Sequence, residues 1–135
     1  MINKHVYTSL ATVIGLLTVF ILFIIFVHLS VNFDELKETT FEQYHIENTL
    51  STLDDNTYIG TYEVFPLSID VEVVVTNHQI VDIVITEQSL FFSSEAIHII
   101  EDVKNHQSII DISFNDSYEA SEKLLVLAII DALTI

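Results

Sequence analysis

From Leu10 to Val27 the chain reads LATVIGLLTVFILFIIFV, and no Asp, Glu, Lys or Arg occurs between Lys4 and Asp34. About 20 such residues in an α-helix rise roughly 30 Å, the thickness of a bilayer's hydrocarbon core. A soluble helix keeps a polar face, and this stretch has none. The pattern therefore predicts a transmembrane anchor over residues 10–32 behind a short tail, 1–9, with the lipid bilayer contacted through Leu10 to Val27. The run closes on Phe26-Val27-His28-Leu29-Ser30 rather than on the small residues of a cleavage site, so the expected segment is an uncleaved signal anchor.

Beyond the anchor the periodicity changes twice. Residues 33–53 mix charges with Phe33, Leu36, Tyr44, Ile46, Leu50 and Leu53 in no clean stripe. We read them as a partly helical stalk holding a domain, residues 54–135, off the bilayer. Within that domain Thr57 to Phe65, Ile69 to Thr76 and Ile80 to Glu87 are rich in β-branched and aromatic residues. Ile69, Val71, Val73 and Val75 alternate with more polar neighbours, as do Val81, Ile83 and Ile85, which predicts a sheet covered on one face. Asn77-His78-Gln79 reads as a tight hairpin turn. Ser93 or Ser94 can cap a helix reaching about Asn105, with Ala96, Ile97, Ile100 and Val103 buried. Ser108 to Ser113 is a short strand or connector. A last helix starts near Asp116, with Glu119 completing a capping box, and runs to Leu133. It is apolar nearly all round, so it must lie between the sheet and a second layer or a partner. The order predicts an α+β fold: an N-terminal transmembrane helix, then a small two-layer domain in which two helices pack on an antiparallel sheet of three or more strands.

Charge narrows the function. The formal net charge is −16, and all 20 acids lie past Phe33, opposed only by Lys37, Lys104 and Lys123. Such a field repels nucleic acid, which is excluded as a partner. Lys4 before the span and Asp34 and Glu35 after it favour a single-pass cell-membrane protein with its N-terminus inside and its C-terminal domain extracytoplasmic. With no cysteine there is neither a disulfide framework nor a thiolate site. His98, Asp102 and His106 recur at helical spacing, but the two histidines are about 12 Å apart along the axis, too far to share one ion.

Several stretches resemble, in order, the small FMN-binding domain family, which includes single-pass membrane proteins of Gram-positive bacteria. Asp55-Asn56-Thr57-Tyr58-Ile59-Gly60 stands where the family has Asp-Gly-x-Tyr-x-Gly. Gln79-Ile80-Val81-Asp82-Ile83-Val84-Ile85 stands for its Lys-Ile-x-Asp-Ile-x-Ile, Gln107-Ser108-Ile109-Ile110-Asp111 for its Gln-Ser and apolar-Asp pair, and Ala128 to Ala132-Leu133 for its closing Ala-x-x-x-Ala-Leu. The resemblance implies noncovalent FMN, held for electron transfer to a membrane redox partner, with Tyr58, Gly60, Asn115, Ser117, Tyr118 and Ser121 as the cofactor-binding residues.

One departure keeps a second reading open. Where the family has Ser-Gly-Ala-Thr, this chain has Asn115-Asp116-Ser117-Tyr118-Glu119-Ala120-Ser121, with no glycine and two carboxylates. A helix N-terminus attracts phosphate through free N–H groups and its dipole, and Asp116 and Glu119 already supply an anion there. The alternative is a cofactor-free domain serving as a membrane-tethered interaction or scaffold module.

Overall fold

The computed structural model describes residues 3–134, apart from the side chains of residues 31 and 32. Met1 and Ile2 of the expected tail, and Ile135, lie outside the described residues.

Helix α1 (Lys4–Glu38) is unbroken over 35 residues, about 52 Å of rise. It is long and apolar enough to cross a membrane, and every residue from Asn3 to His28 is exposed. Four of its hydroxyls are turned inward: Thr8 donates to the His5 carbonyl, Thr12 to Thr8, Thr18 to Ile14 and Ser30 to Phe26. Bonding back to the helix in this way suits side chains in an apolar surrounding.

The fold is α+β, with one antiparallel sheet in the order β1-β2-β3 (Asn56–Val64, Leu67–Thr76, Gln79–Gln88) and helices packed on one face. Central β2 alternates strictly, with Leu67, Ile69, Val71, Val73 and Val75 buried. Asn77 and His78 turn the β2–β3 hairpin with φ of 51° and 61°, the two positive values that match the twist of paired strands. Strand β3 departs from the expected face. Val75 pairs with Ile80 and Val74 with Asp82, so Val81 is the extra residue of a bulge. Ile80 and Ile83 are therefore buried while Val81 is exposed.

A 3-10 turn (Ser94–Ile97) leads into α3 (His98–His106). Tighter winding shifts the buried face, so Ile99 rather than the expected Ile97 joins Ala96, Ile100 and Val103 inside. Gln107, left-handed at φ 52°, ends α3 and uses its side chain as a strand mimic. Its Oε1 accepts from the Ile80 N–H at 2.7 Å and its Nε2 donates to the Ile80 carbonyl at 2.9 Å. This blocks one end of the β3 edge. Residues 108–113 form a connector pinned by buried Ile109, not a strand.

Helix α4 (Glu119–Leu133) runs through the middle, buried at every position from Ser121 to Ile130. It lies against β1 and β2, and the approach is closest at Gly60, where a Cβ would stand 2.0 Å from the Ala128 carbonyl oxygen and 2.7 Å from the Ala132 Cβ. Asp131 ties the same pair of elements by accepting the Thr61 N–H at 2.9 Å. The other side of α4 is covered by the segment expected to be a stalk. Leu36 at the end of α1, Phe41, Ile46 and Leu50 of α2 (Ile46–Leu50), and Leu53 are all buried in the common core. Phe41 packs its ring 5.7 Å from Phe114 and 6.3 Å from Tyr44. Residues 33–53 thus close the core and do not space the domain from α1, because α4 has no polar face to leave uncovered.

Gly60→Ala must push α4 off the sheet by backbone movement. We expect a loss of at least about 2 kcal/mol, read as a lower midpoint in denaturant unfolding of the full chain in detergent.

Candidate functional site

The chain between the connector and α4 folds back on itself at Asn115. The Asn115 side-chain oxygen accepts the Ser117 N–H at 2.9 Å, and its carbonyl accepts the Tyr118 N–H at 3.1 Å. Helix α4 begins only at Glu119, with Tyr118 before it and no side-chain cap, so the expected capping box from Asp116 does not form. Around this turn lies a cleft of about 310 Å³, lined by Asp116 to Ser121 together with Phe33, Lys37, Leu67, Phe91 and Ser93. That is the low end of small-molecule sites.

The six residues expected to hold a cofactor divide. Ser117, Tyr118 and Ser121 line the cleft. Asn115 stands behind it, where its N–H donates to the Glu122 Oε2 at 2.6 Å. Ser121 is 4 % exposed, and its hydroxyl oxygen accepts the Ser93 N–H at 2.9 Å. Tyr58 and Gly60 lie elsewhere. Gly60 meets α4 at Ala128 and Ala132, at least about 10 Å along the helix from the cleft, and its role is helix–sheet contact. The Tyr58 hydroxyl donates to the Asp54 carbonyl at 2.8 Å.

Three carboxylates crowd this helix start. Asp116 and Glu119 line the cleft, and Glu122, fully buried, sits beneath it. Burial pushes the Glu122 carboxyl above the usual range, with the neighbouring Glu119 and Asp102 charges acting in the same direction; the Asn115 N–H and His98 oppose them. His98 Nε2 stands 3.1 Å from Glu122 Oε1, close enough for an ion pair although not aligned as a hydrogen bond. The other ring nitrogen, Nδ1, is 2.9 Å from the Glu95 carbonyl, which can only accept, so Nδ1 carries a proton. Nε2 is the ring atom that faces the buried Glu122 carboxyl. The edge of the His98 ring also meets Tyr118, with centroids 6.0 Å apart.

Cations are mostly committed. Lys123 is 6 % exposed; its ammonium donates to the Lys37 carbonyl, lies 3.0 Å from Glu119 and stands over the Phe114 ring. Lys37 lines the cleft. His98, Asp102 and His106 do not converge, since His106 Nδ1 bonds the Asp102 carbonyl, and no group of three or more metal-ligating side chains occurs among the described residues.

The charges at this helix start oppose a phosphomonoester: the Asn115 and Ser117 N–H groups are already paired within the chain, and a dianion would meet Asp116 and Glu119 at the mouth with Glu122 below. The His98–Glu122 contact was not legible in sequence, since Glu122 stands among Glu119, Ser121 and Lys123 in what reads as a polar first turn. No family model matches the chain, and no curated protein or solved structure does either.

Because the folded state holds the Glu122 proton more tightly than the unfolded chain, its contribution to stability is complete below the ordinary carboxylate range. That contribution is lost as pH rises through the raised value. Measured against Glu122→Gln across this range, the parent should lose stability with rising pH while the variant lacks that component. A constant difference between the two would contradict the shift.

Proposed function

We propose that the chain is a single-pass membrane protein, N-terminus inside, whose acidic extracytoplasmic domain works without a flavin as an interaction module beside membrane partners. The observation that supports this reading is the helix start of α4, where Asp116 and Glu119 line the cleft and would repel a ligand phosphate. The surface suited to docking is the open face of the sheet. There Ile59 and Val84 are exposed on either side of Glu72, with Asp70 and Asp82 nearby on β2 and β3. An apolar patch set among acids favours a partner whose contact surface is basic and partly apolar. Lys4 inside and Asp34 and Glu35 outside support the orientation.

A second reading has an observation of its own. Phe33, Phe91 and Tyr118 line the cleft together with Lys37, a setting that suits the flat ring of noncovalent FMN, with Asp116 and Glu119 opposing its phosphate. In that reading the domain would hold the flavin for electron transfer to a membrane redox partner.

Purifying the full chain in detergent, with and without added FMN, separates the two. The module reading expects no flavin absorption in the retained protein, and gain of uptake on combining Asp116→Gly with Glu119→Thr. Flavin carried by the parent chain would establish the second reading instead. For orientation, Thr57→Cys in intact cells should react with a membrane-impermeant maleimide, and protection until lysis would reverse the assignment.

A further inference from the structure

Two loop tips and the upper part of α1 enclose a second cleft, of about 410 Å³, lined by Ile25, Leu29, Phe33, Phe65, Pro66 and Phe91 with no polar surface. The tips are the β1–β2 turn, Phe65-Pro66, and the loop after β3, where Leu90 is 93 % exposed and Phe91 67 %. They are fastened together. The Ser89 N–H donates to the Ser68 carbonyl and the Ser68 N–H to the Ser89 hydroxyl, each at 3.0 Å. Their placement against α1 is fixed as well, because Leu36 is buried in the core and Lys123 donates to the Lys37 carbonyl.

Depth follows from the helix. The interval from His5 to Phe33 rises about 42 Å, close to the roughly 40–45 Å of a bilayer with both headgroup layers. If Phe33 marks the outer boundary, Ile25 lies about 12 Å below it, at the margin of the acyl chains. Phe65, Pro66 and Phe91 share a cleft with side chains spanning that whole interval. They therefore sit at the depth of headgroups and upper acyl chains, where exposed aromatic and aliphatic side chains are stabilised.

We propose that the domain is seated in the outer leaflet, with Phe65, Leu90 and Phe91 inserted and the acyl chains of bilayer lipids filling the cleft beside Ile25 and Leu29. This rests on α1 spanning the membrane. Continuity of the cleft with the α1 surface identifies the occupant, since lipid already surrounds Ile25 and Leu29 on their other sides. The domain is strongly acidic, so insertion is driven by apolar contact and not by attraction to anionic headgroups.

The chain has no cysteine, which allows single-site labelling at exposed positions. The full chain carrying Leu90→Cys, Leu22→Cys or Thr57→Cys, labelled with an environment-sensitive fluorophore, is placed in phosphatidylcholine vesicles with and without brominated acyl chains. Leu90→Cys should emit to the blue of Thr57→Cys and lose at least about half its intensity to bromine, as expected for burial some 5–10 Å into the interface. Thr57, at the opposite end of β1 about 25 Å away, should be unaffected. If Leu22→Cys is quenched and Leu90→Cys behaves like Thr57→Cys, the seating is overturned while the span stands. If Leu22→Cys is not quenched either, the span fails and the seating falls with it.

Discussion

A helix without a polar face, placed in the middle of a small domain, dictates most of what surrounds it. Ser121 to Ile130 of α4 are buried without interruption, so a single sheet on one side is not enough cover. Strands β1 and β2 take one side, at a spacing that only glycine at position 60 permits. Leu36, Phe41, Ile46 and Leu50 take part of the remainder, and α3 and the connector close over its start. Burying such side chains is worth about 1.5–3 kcal/mol each, which is why residues with weak helical patterning are drawn into the core.

That demand fuses two parts of the chain. Because Leu36 belongs both to the core and to the continuous helix α1, the domain has no free linker and is held in one pose relative to the apolar helix. The same crowding shapes the candidate site. Glu122 and Lys123 are charged residues on the buried face, and each is matched locally, Glu122 by His98 and the Asn115 N–H, Lys123 by Glu119 and a carbonyl.

What was legible in the sequence was what depends on near neighbours. The α1 run, the strict alternation of β2 and the Asn77-His78 turn are local patterns; β2 starts two residues before its expected bound, while α1 runs six residues past the expected span at each end. The departures come from pairing at a distance. Val81 faces out because β2 sets the register of β3, and Ile97 faces out because a 3-10 turn precedes α3. The role of residues 33–53 was hidden because their apolar positions follow the outline of α4 and not a single helical or strand period. His98 and Glu122 are far apart in the chain, and nothing in their spacing announces contact. Gly60 was singled out for a cofactor on the resemblance alone, and the backbone it admits in the structure is that of α4.

The central claim is that α4 is held in place by the end of α1 as well as by the sheet. Amide hydrogen exchange on the full chain in detergent, comparing the parent with Leu36→Asp, tests it most directly. The account predicts strong protection of residues 121–130 in the parent and its loss in the variant, spreading to the connector around Phe114. Equal protection of those amides in both chains would contradict it, and would mean that the domain folds independently of the helix that carries it.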